Sequence, residues 1–298
     1  MSQPTPDEIL TAVRDAGWLL EQDTARAMEE LRLKTQLGWA YEDPDDATNS
    51  REVDVMGYRR FFHSDEHRLT VSARVLAECK QSGTPYVLIG REHEEWLRKR
   101  HPAQHTLRYN NLIAQNSLPG TGESIRYAPA WSKLGLDKTP GSPSLEVFRA
   151  SQLVRLDRGK NWTANNSGIF NSLVFPLAKA LRAAQKQYAS ADWPTPARRN
   201  DSWNNVALHF PVVVTSAPLY RVDATHPESS IAEVPWGKVI RQLETKTIKG
   251  RFEIDVVNYQ HLPGYLEDQV IQFSANVAQT AEEDPGRFVK GTIPTVAD

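Results

Sequence analysis

The chain has 298 residues, 40% hydrophobic and 24% charged, and its 35 basic and 37 acidic side chains leave a formal net charge of −2. That is enough apolar material for a substantial core, in one large domain or two small ones, and it excludes a globally basic protein that gathers nucleic acid by charge alone. One cysteine rules out an intramolecular disulfide and suits a reducing compartment. The N-terminus lacks a charged-then-apolar leader pattern, and no apolar run approaches the roughly 18 residues of a membrane span. The expectation is a soluble, cytoplasmic protein with no membrane partner.

Thr5-Pro6-Asp7-Glu8 reads as a helix start, with Thr5 as cap, Pro6 in the first turn and Glu8 completing a capping box. Ile9, Leu10 and Val13 give that helix a buried stripe, and Gly17 ends it. A second helix carries Leu20, Ala27, Met28 and Leu31 on one face, with Glu21 at the edge of the stripe. Leu37, Trp39 and Tyr41 alternate as a strand, and the acidic run Glu42 to Asp46 reads as an exposed turn.

Arg51 to Tyr58 alternates charged and apolar residues, as a strand does. The polar segment Phe62 to Arg68 suits a hairpin turn, and Leu69, Val71, Ala73, Val75, Ala77 and Cys79 then occupy every second position of another strand. Successive side chains of a strand point to opposite faces, so Glu78 and Lys80 share one face while Cys79 points into the core. If the two strands pair, Asp54 lies beside both.

Chemistry gives this trio a reason. Two carboxylates about 4 Å apart repel by roughly 4 kcal/mol at an effective dielectric near 20, a cost without return unless a cation sits between them. Mg²⁺ takes oxygen ligands and is commonly held by one or two carboxylates plus phosphate oxygens. A lysine beside it can orient water and offset charge growing on a phosphate. The reaction these parts suit best is phosphodiester hydrolysis.

An aspartate, a spacer and then Glu78-Cys79-Lys80 on the following strand resembles the pattern of the PD-(D/E)xK nuclease superfamily. The resemblance extends upstream to Gly17-Trp18-Leu19-Leu20-Glu21, similar to a glycine-aromatic-x-x-Glu segment of many members, and downstream to Gln81-Ser82 and Pro85-Tyr86-Val87-Leu88-Ile89. It covers about residues 17 to 90, with Val53 standing in for the proline of the name. It implies an α/β fold with a restriction-endonuclease-like core, a mixed central sheet flanked by helices. One domain would hold a nuclease core over about 5–115, a loop over 117–144, and a C-terminal α/β extension over 145–275 that packs on or extends the sheet. It implies Asp54 and Glu78 as ligands of Mg²⁺ (or Mn²⁺), with the backbone carbonyl of Cys79 as a further ligand, and Lys80 positioning the attacking water. Glu21 would be a metal-adjacent carboxylate over Asp54, and Gln81 an auxiliary residue, although alternation turns it to the opposite face. By analogy the substrate is DNA, in restriction, defence or repair, with a possible companion protein. A non-cleaving binding module and a hydrolase of RNA or small phosphodiesters are the alternatives. Glu-x-Lys also arises by chance in so charged a chain and recurs at Glu244-Thr245-Lys246. An ordinary surface hairpin would explain the first copy with little effect on stability.

The remaining segments carry weaker signals. Arg91 to His105 reads as helical with an interruption at Pro102, and Arg91, Arg98, Lys99 and Arg100 form its basic cluster, either a solvated face or a phosphate track. His93-Glu94 lacks the second histidine of a zinc-protease motif, because position 97 is Leu97, and His63 with His67 lacks cysteine support, so no zinc site is expected. Residues 117–144 read as a long loop, and Glu123 stands where a phosphate loop needs lysine. Gly168 to Tyr188 reads as a buried helix, 194–200 as a connector, and His209 to Thr215 as a buried strand. Lys238–Leu243 and Phe252–Tyr259 read as a hairpin turning at Lys249-Gly250 that extends the sheet or packs beside it. Asp255 with Glu244 and Lys246 echoes the first trio in reversed order, better explained as a polar hairpin than as a second site. Gly264 to Phe273 reads as a closing helix, with the last twenty or so residues loosely held.

Overall fold

The structure, a computed structural model, describes residues 3–114, 126–188, 203–245 and 247–293. Helix α1 (Pro6–Asp15) opens on the expected capping box, with the Glu8 N–H donating to the Thr5 hydroxyl at 3.3 Å and the Thr5 N–H to Glu8 Oε2 at 2.7 Å. Its expected buried stripe is not there: Ile9 and Leu10 keep 51% and 46% of their surface exposed. α1 packs against α2 (Trp18–Glu30), whose own apolar face, Leu20, Thr24, Ala25, Ala27 and Met28, is already committed to the sheet.

Three strands follow as an antiparallel meander: β1 (Lys34–Asp43), β2 (Asp46–Ser64) and β3 (Leu69–Lys80). The register puts Leu37 opposite Val55, and Val55 opposite Ala77. Then come β4 (Tyr86–Glu92), α3 (Glu95–Arg98), β5 (Asn111–Ala114), β6 (Tyr127–Pro129), α4 (Ala130–Lys133), β7 (Phe148–Arg158) and β8 (Trp162–Asn165). A π-helical turn, Phe170–Val174, runs into α5 (Phe175–Lys186). The second half supplies β9 (Asn204–Thr215), β10 (Leu219–Asp223), β11 (Ser230–Glu233), β12 (Trp236–Glu244) and β13 (Lys249–Asn258). α6 (Leu262–Tyr265) continues through a π-helical stretch into α7 (Phe273–Glu283), followed by α8 (Pro285–Val289) and β14 (Thr292–Ile293).

The protein is α/β, with a large mixed sheet flanked by helices. Among the described residues the sheet has eleven strands in the order β1-β2-β3-β9-β13-β12-β7-β4-β10-β11, with β8 beside β7, and β14-β5-β6 form a smaller sheet. β4 thus does not sit with the first three strands: β9, β13, β12 and β7 intervene. β9 is the centre. Its run Val-Ala-Leu-His-Phe-Pro-Val-Val-Val is buried throughout, as a strand covered on both faces should be. It pairs in parallel with all of β3, but with β13 only from Val212 onward. Upstream, the segment around Thr106 covers that edge, pairing with Ala207, and the His209 N–H donates to His105 Nδ1 at 3.2 Å. Pro211, which has no N–H to give, falls between the two coverings. One core lies under α2 and α6–α7 and contains Met28, Tyr265 and Phe273; the other lies under α5 and contains Leu76, Leu177 and Phe252.

Several expectations fail for physical reasons. In the expected loop, Trp131 is wholly buried, stacks on His101 and His105, and donates its indole N–H to Ser144 Oγ at 3.1 Å, so Ala130, Trp131, Leu134 and Leu136 belong to the core. The acidic turn is not all exposed: Asp43 is buried, 2.7 Å from both Lys179 Nζ and Arg51 Nε. The helix expected over 91–105 shrinks to α3, because Arg91 belongs to β4 and the chain after Pro102 descends into the core as Gln104, His105 and Thr106. Phe170 is exposed although Leu173, Leu177 and Leu181 are buried as expected. The β12–β13 turn is centred on 245–248, where the Thr245 N–H meets the Ile248 carbonyl. The C-terminal segment is held by buried Phe288 and by β14 pairing with β5. The phosphate-loop imitation at 119–124, the connector at 194–200 and Lys246 lie outside the described residues. Among the described residues no helix is long and apolar enough to cross a membrane.

Trp131→Ala removes a fully buried indole and should cost about 3–5 kcal/mol in chemical denaturation. Lys133→Ala, an exposed position two residues on, should stay within about 0.5 kcal/mol.

Candidate active site

β2 and β3 pair from Ser64–Leu69 to Val55–Ala77, and there the main-chain ladder stops. Two residues on, the Cys79 N–H donates to Asp54 Oδ2 at 2.6 Å. A side chain replaces the backbone acceptor that continued pairing would supply, and this anchors a carboxylate at the end of the ladder. The N–H and C=O of one strand residue face the same side, so the Cys79 carbonyl looks into the same gap.

Glu78 stands across from Asp54. Its side chain keeps only 11% of its surface exposed, and Oε1 lies 3.1 Å from Lys80 Nζ. Glu21 comes from the first turn of α2, which is fixed to β3 at two points. The buried Cys79 thiol meets the Thr24 hydroxyl at 3.5 Å, one turn after Glu21. At the helix start Gly17 has φ +91°, and a Cβ there would come within 3.3 Å of Gln81 Cβ. Glycine serves both the left-handed turn and the close approach. Beyond Lys80, the Ser82 N–H donates to Ser216 Oγ at 3.0 Å, tying the next loop to the end of β9.

The electrostatics are those of crowded acids. Burial, then the neighbouring Asp54 charge, pushes Glu78 up to about 7, against the pull of Lys80. Burial also raises Asp54, although the Cys79 N–H and Lys80 oppose it. Glu21 is raised by burial and by Asp54 and Glu52. For Lys80, burial works against the charge, but the Glu78 carboxylate prevails and holds it above its ordinary value. The Cys79 thiol is driven well upward by burial and stays protonated. Each of Asp54 and Glu78 spends one oxygen on a protein partner, the Cys79 N–H and Lys80 Nζ.

Among the described residues no group of three or more His, Cys, Asp or Glu side chains is arranged to hold a metal ion. The donors available here are two carboxylates and a main-chain carbonyl, which suits an ion that binds through one or two carboxylates and keeps several waters. None of the described cavities is lined by Asp54, Glu78 or Lys80. At this end of the sheet Glu78 is buried, and Asp54 and Lys80 are half-buried.

The structure brings Asp54, Glu78 and Lys80 together, with Glu21 within electrostatic range of all three. Gln81 is exposed just past the end of β3, beside Gly17. Arg91, Arg98, Lys99 and Arg100 do not join them. Arg91 lies five residues, about 17 Å of strand, beyond Tyr86, Lys99 pairs with Glu95 at 2.6 Å, and Arg100 sits over Trp96. Of the echo, Asp255 is buried and bonded to Lys238 Nζ at 2.5 Å and to the Tyr265 hydroxyl at 2.9 Å, while Glu244 pairs with Lys249 at the far end of the hairpin. Sequence reasoning passed over Glu52, whose charge reaches both Glu21 and Asp54; its place two residues before Asp54 on the same strand face was the available signal. No family model, curated protein or solved structure matches the chain.

The raised pKa of Glu78 has a definite consequence. The folded state holds that proton more tightly than the unfolded chain, so stability is fully present below the ordinary carboxylate value of 4.5 and is lost as pH rises through about 7. Glu78→Gln should therefore raise the melting temperature at pH 8, by on the order of 3 kcal/mol of stability. The gain should vanish near pH 4.5. Melting curves of both proteins across that range check it.

Proposed function

We propose that the chain is a metal-dependent nuclease of PD-(D/E)xK type, built on a restriction-endonuclease-like core and hydrolysing phosphodiester bonds in DNA. The observation that carries this reading is the end of the β2–β3 ladder, where Asp54 takes the Cys79 N–H and Glu78 pairs with Lys80 on the adjoining residues. Asp54, Glu78 and the Cys79 carbonyl would hold Mg²⁺ or Mn²⁺. The ion, when bound, supplies polarisation of a phosphate oxygen and a more acidic water. Lys80 orients the attacking water and offsets charge growing on the phosphate. Glu78 would hold the ion as a carboxylate, its proton released to solvent, and Glu21 adds negative potential that favours a cation there. Lys80 keeps about a third of its side chain exposed, so its ammonium is within reach of a phosphate arriving from solvent. A cytoplasmic setting, and a companion protein supplying target choice, go with this reading.

Purified protein with Mg²⁺ should nick plasmid DNA, and EDTA should stop it. Asp54→Ala and Lys80→Ala should each lower cleavage at least about 100-fold, and Asp54→Asn, which keeps an acceptor for the Cys79 N–H, should do the same with melting temperature little changed. Undiminished cleavage by Asp54→Ala would place the chemistry elsewhere. Metal-independent binding without nicking by the wild type would favour a non-cleaving module, and preferential cleavage of RNA would move the substrate class.

A further inference from the structure

Strands β7 and β8 meet in a hairpin whose tip carries Arg158, Gly159, Lys160, Asn161 and Trp162, all exposed. Trp162 leaves 51% of its surface open, with the Arg158 guanidinium 5.3 Å from the ring centroid. The stem is held by Asp157, which accepts from Arg155 Nε and from Asn165 Nδ2, each at 2.8 Å. That consumes the hairpin's one carboxylate. Arg158 and Lys160 have no acidic partner among the described residues, so two positive charges and a large aromatic ring stand together in water on a protein of net charge −2.

The hairpin's position gives it a meaning. β7 pairs with β4 as far as Arg155 opposite Tyr86, and the Leu156 N–H donates to the Pro85 carbonyl at 2.9 Å. Pro85 belongs to the short loop that follows Lys80. The tip therefore runs three residues, about 10 Å, past the start of β4, on the side from which the loop after Lys80 arrives. Tyr86 lies within electrostatic range of both Arg155 and Lys80.

We propose that this hairpin holds single-stranded DNA for the Asp54–Glu78–Lys80 site, with an unpaired base stacked on Trp162 and the adjoining phosphates against Arg158 and Lys160. The proposal rests on the nuclease reading of that site, which also sets DNA as the polymer. Bases within a duplex are already stacked on one another, so an exposed indole selects a strand whose bases are free. Arg and Lys without carboxylate partners bind the backbone regardless of sequence.

The test uses the full chain in EDTA, so that binding is read without cleavage, and a fluorescein-labelled oligo(dT) of about 20 nucleotides followed by anisotropy. Trp162→Ala should weaken binding roughly ten-fold or more, and Trp162→Phe should restore most of it. Lys160→Gln should weaken binding and reduce the slope of log affinity against log salt by about 0.7. Both positions are exposed, so melting temperatures should not move. Equal binding by Trp162→Ala and wild type overturns the proposal, as does tighter ring-independent binding of duplex, or tighter ring-dependent binding of an RNA oligomer. The two readings fail separately. Loss of cleavage in Asp54→Ala with no effect of the hairpin variants would remove the hairpin alone; Trp162-dependent binding by a protein that never cleaves would remove the nuclease alone.

Discussion

One hydrogen bond defines the end of the sheet. Where β2 and β3 stop exchanging backbone bonds after Val55 and Ala77, the Cys79 N–H goes to the carboxylate of Asp54. A buried N–H without an acceptor is costly, so some group has to satisfy this one. A negatively charged acceptor does so strongly, and in doing so it fixes an acid in the gap between diverging strands. Glu78 stands beside it because it directly precedes Cys79, and Lys80 because it directly follows. The positions of three side chains thus follow from one break in pairing and the two-residue repeat of a strand.

Such a break is tolerable only on a rigid frame, and the second half of the chain supplies it. β9 lies against the whole of β3, and its residues reach Thr215 opposite Lys80. α2 is pinned from the other side by Thr24 on Cys79. The acids therefore cannot relax apart by splaying β3, and their burial, with the Asp54 charge beside Glu78, persists as raised proton affinity rather than as disorder. A site that holds a proton near neutral pH without a cation is also one that releases it readily when a cation arrives.

The local part of this was legible in the sequence. Alternating Leu69 to Cys79, the hairpin turn before it and the stripe of α2 are short-range periodicities, and they suffice to put Asp54, Glu78, Lys80 and Glu21 on neighbouring elements. What escaped depends on partners far along the chain. Asp43 looked like part of a solvated turn because Lys179, 136 residues away, was not visible as its partner. Trp131 looked like part of a loop because its neighbours Gly, Pro and Ser mark turns, while the histidines that enclose it come from an earlier segment. The stripe of α1 was real as a pattern, yet amphipathicity says only that a face can be buried. The sheet order, with β9 beside β3 and β13 beyond it, is not encoded in any window of sequence.

The charge distribution then decides how a phosphate polymer could reach such a place. Glu21, Glu52, Asp54 and Glu78 crowd one end of the sheet with Lys80 as their nearby cation, so the bare site repels the substrate proposed for it. Net charge of the whole chain gives no compensating attraction, and the basic residues near α3 are paired or stacked at the far end of β4. On the nuclease reading, approach must rely on positive charge that is close to the acids but not neutralised by them. The tip of the β7–β8 hairpin has that property, since Asp157 is spent on the stem. A divalent ion in the gap would complete the reversal of sign where the bond is cut. Binding and cutting then answer to different charges, the first to Arg158 and Lys160 and the second to Asp54 and Glu78, so the two can be altered independently.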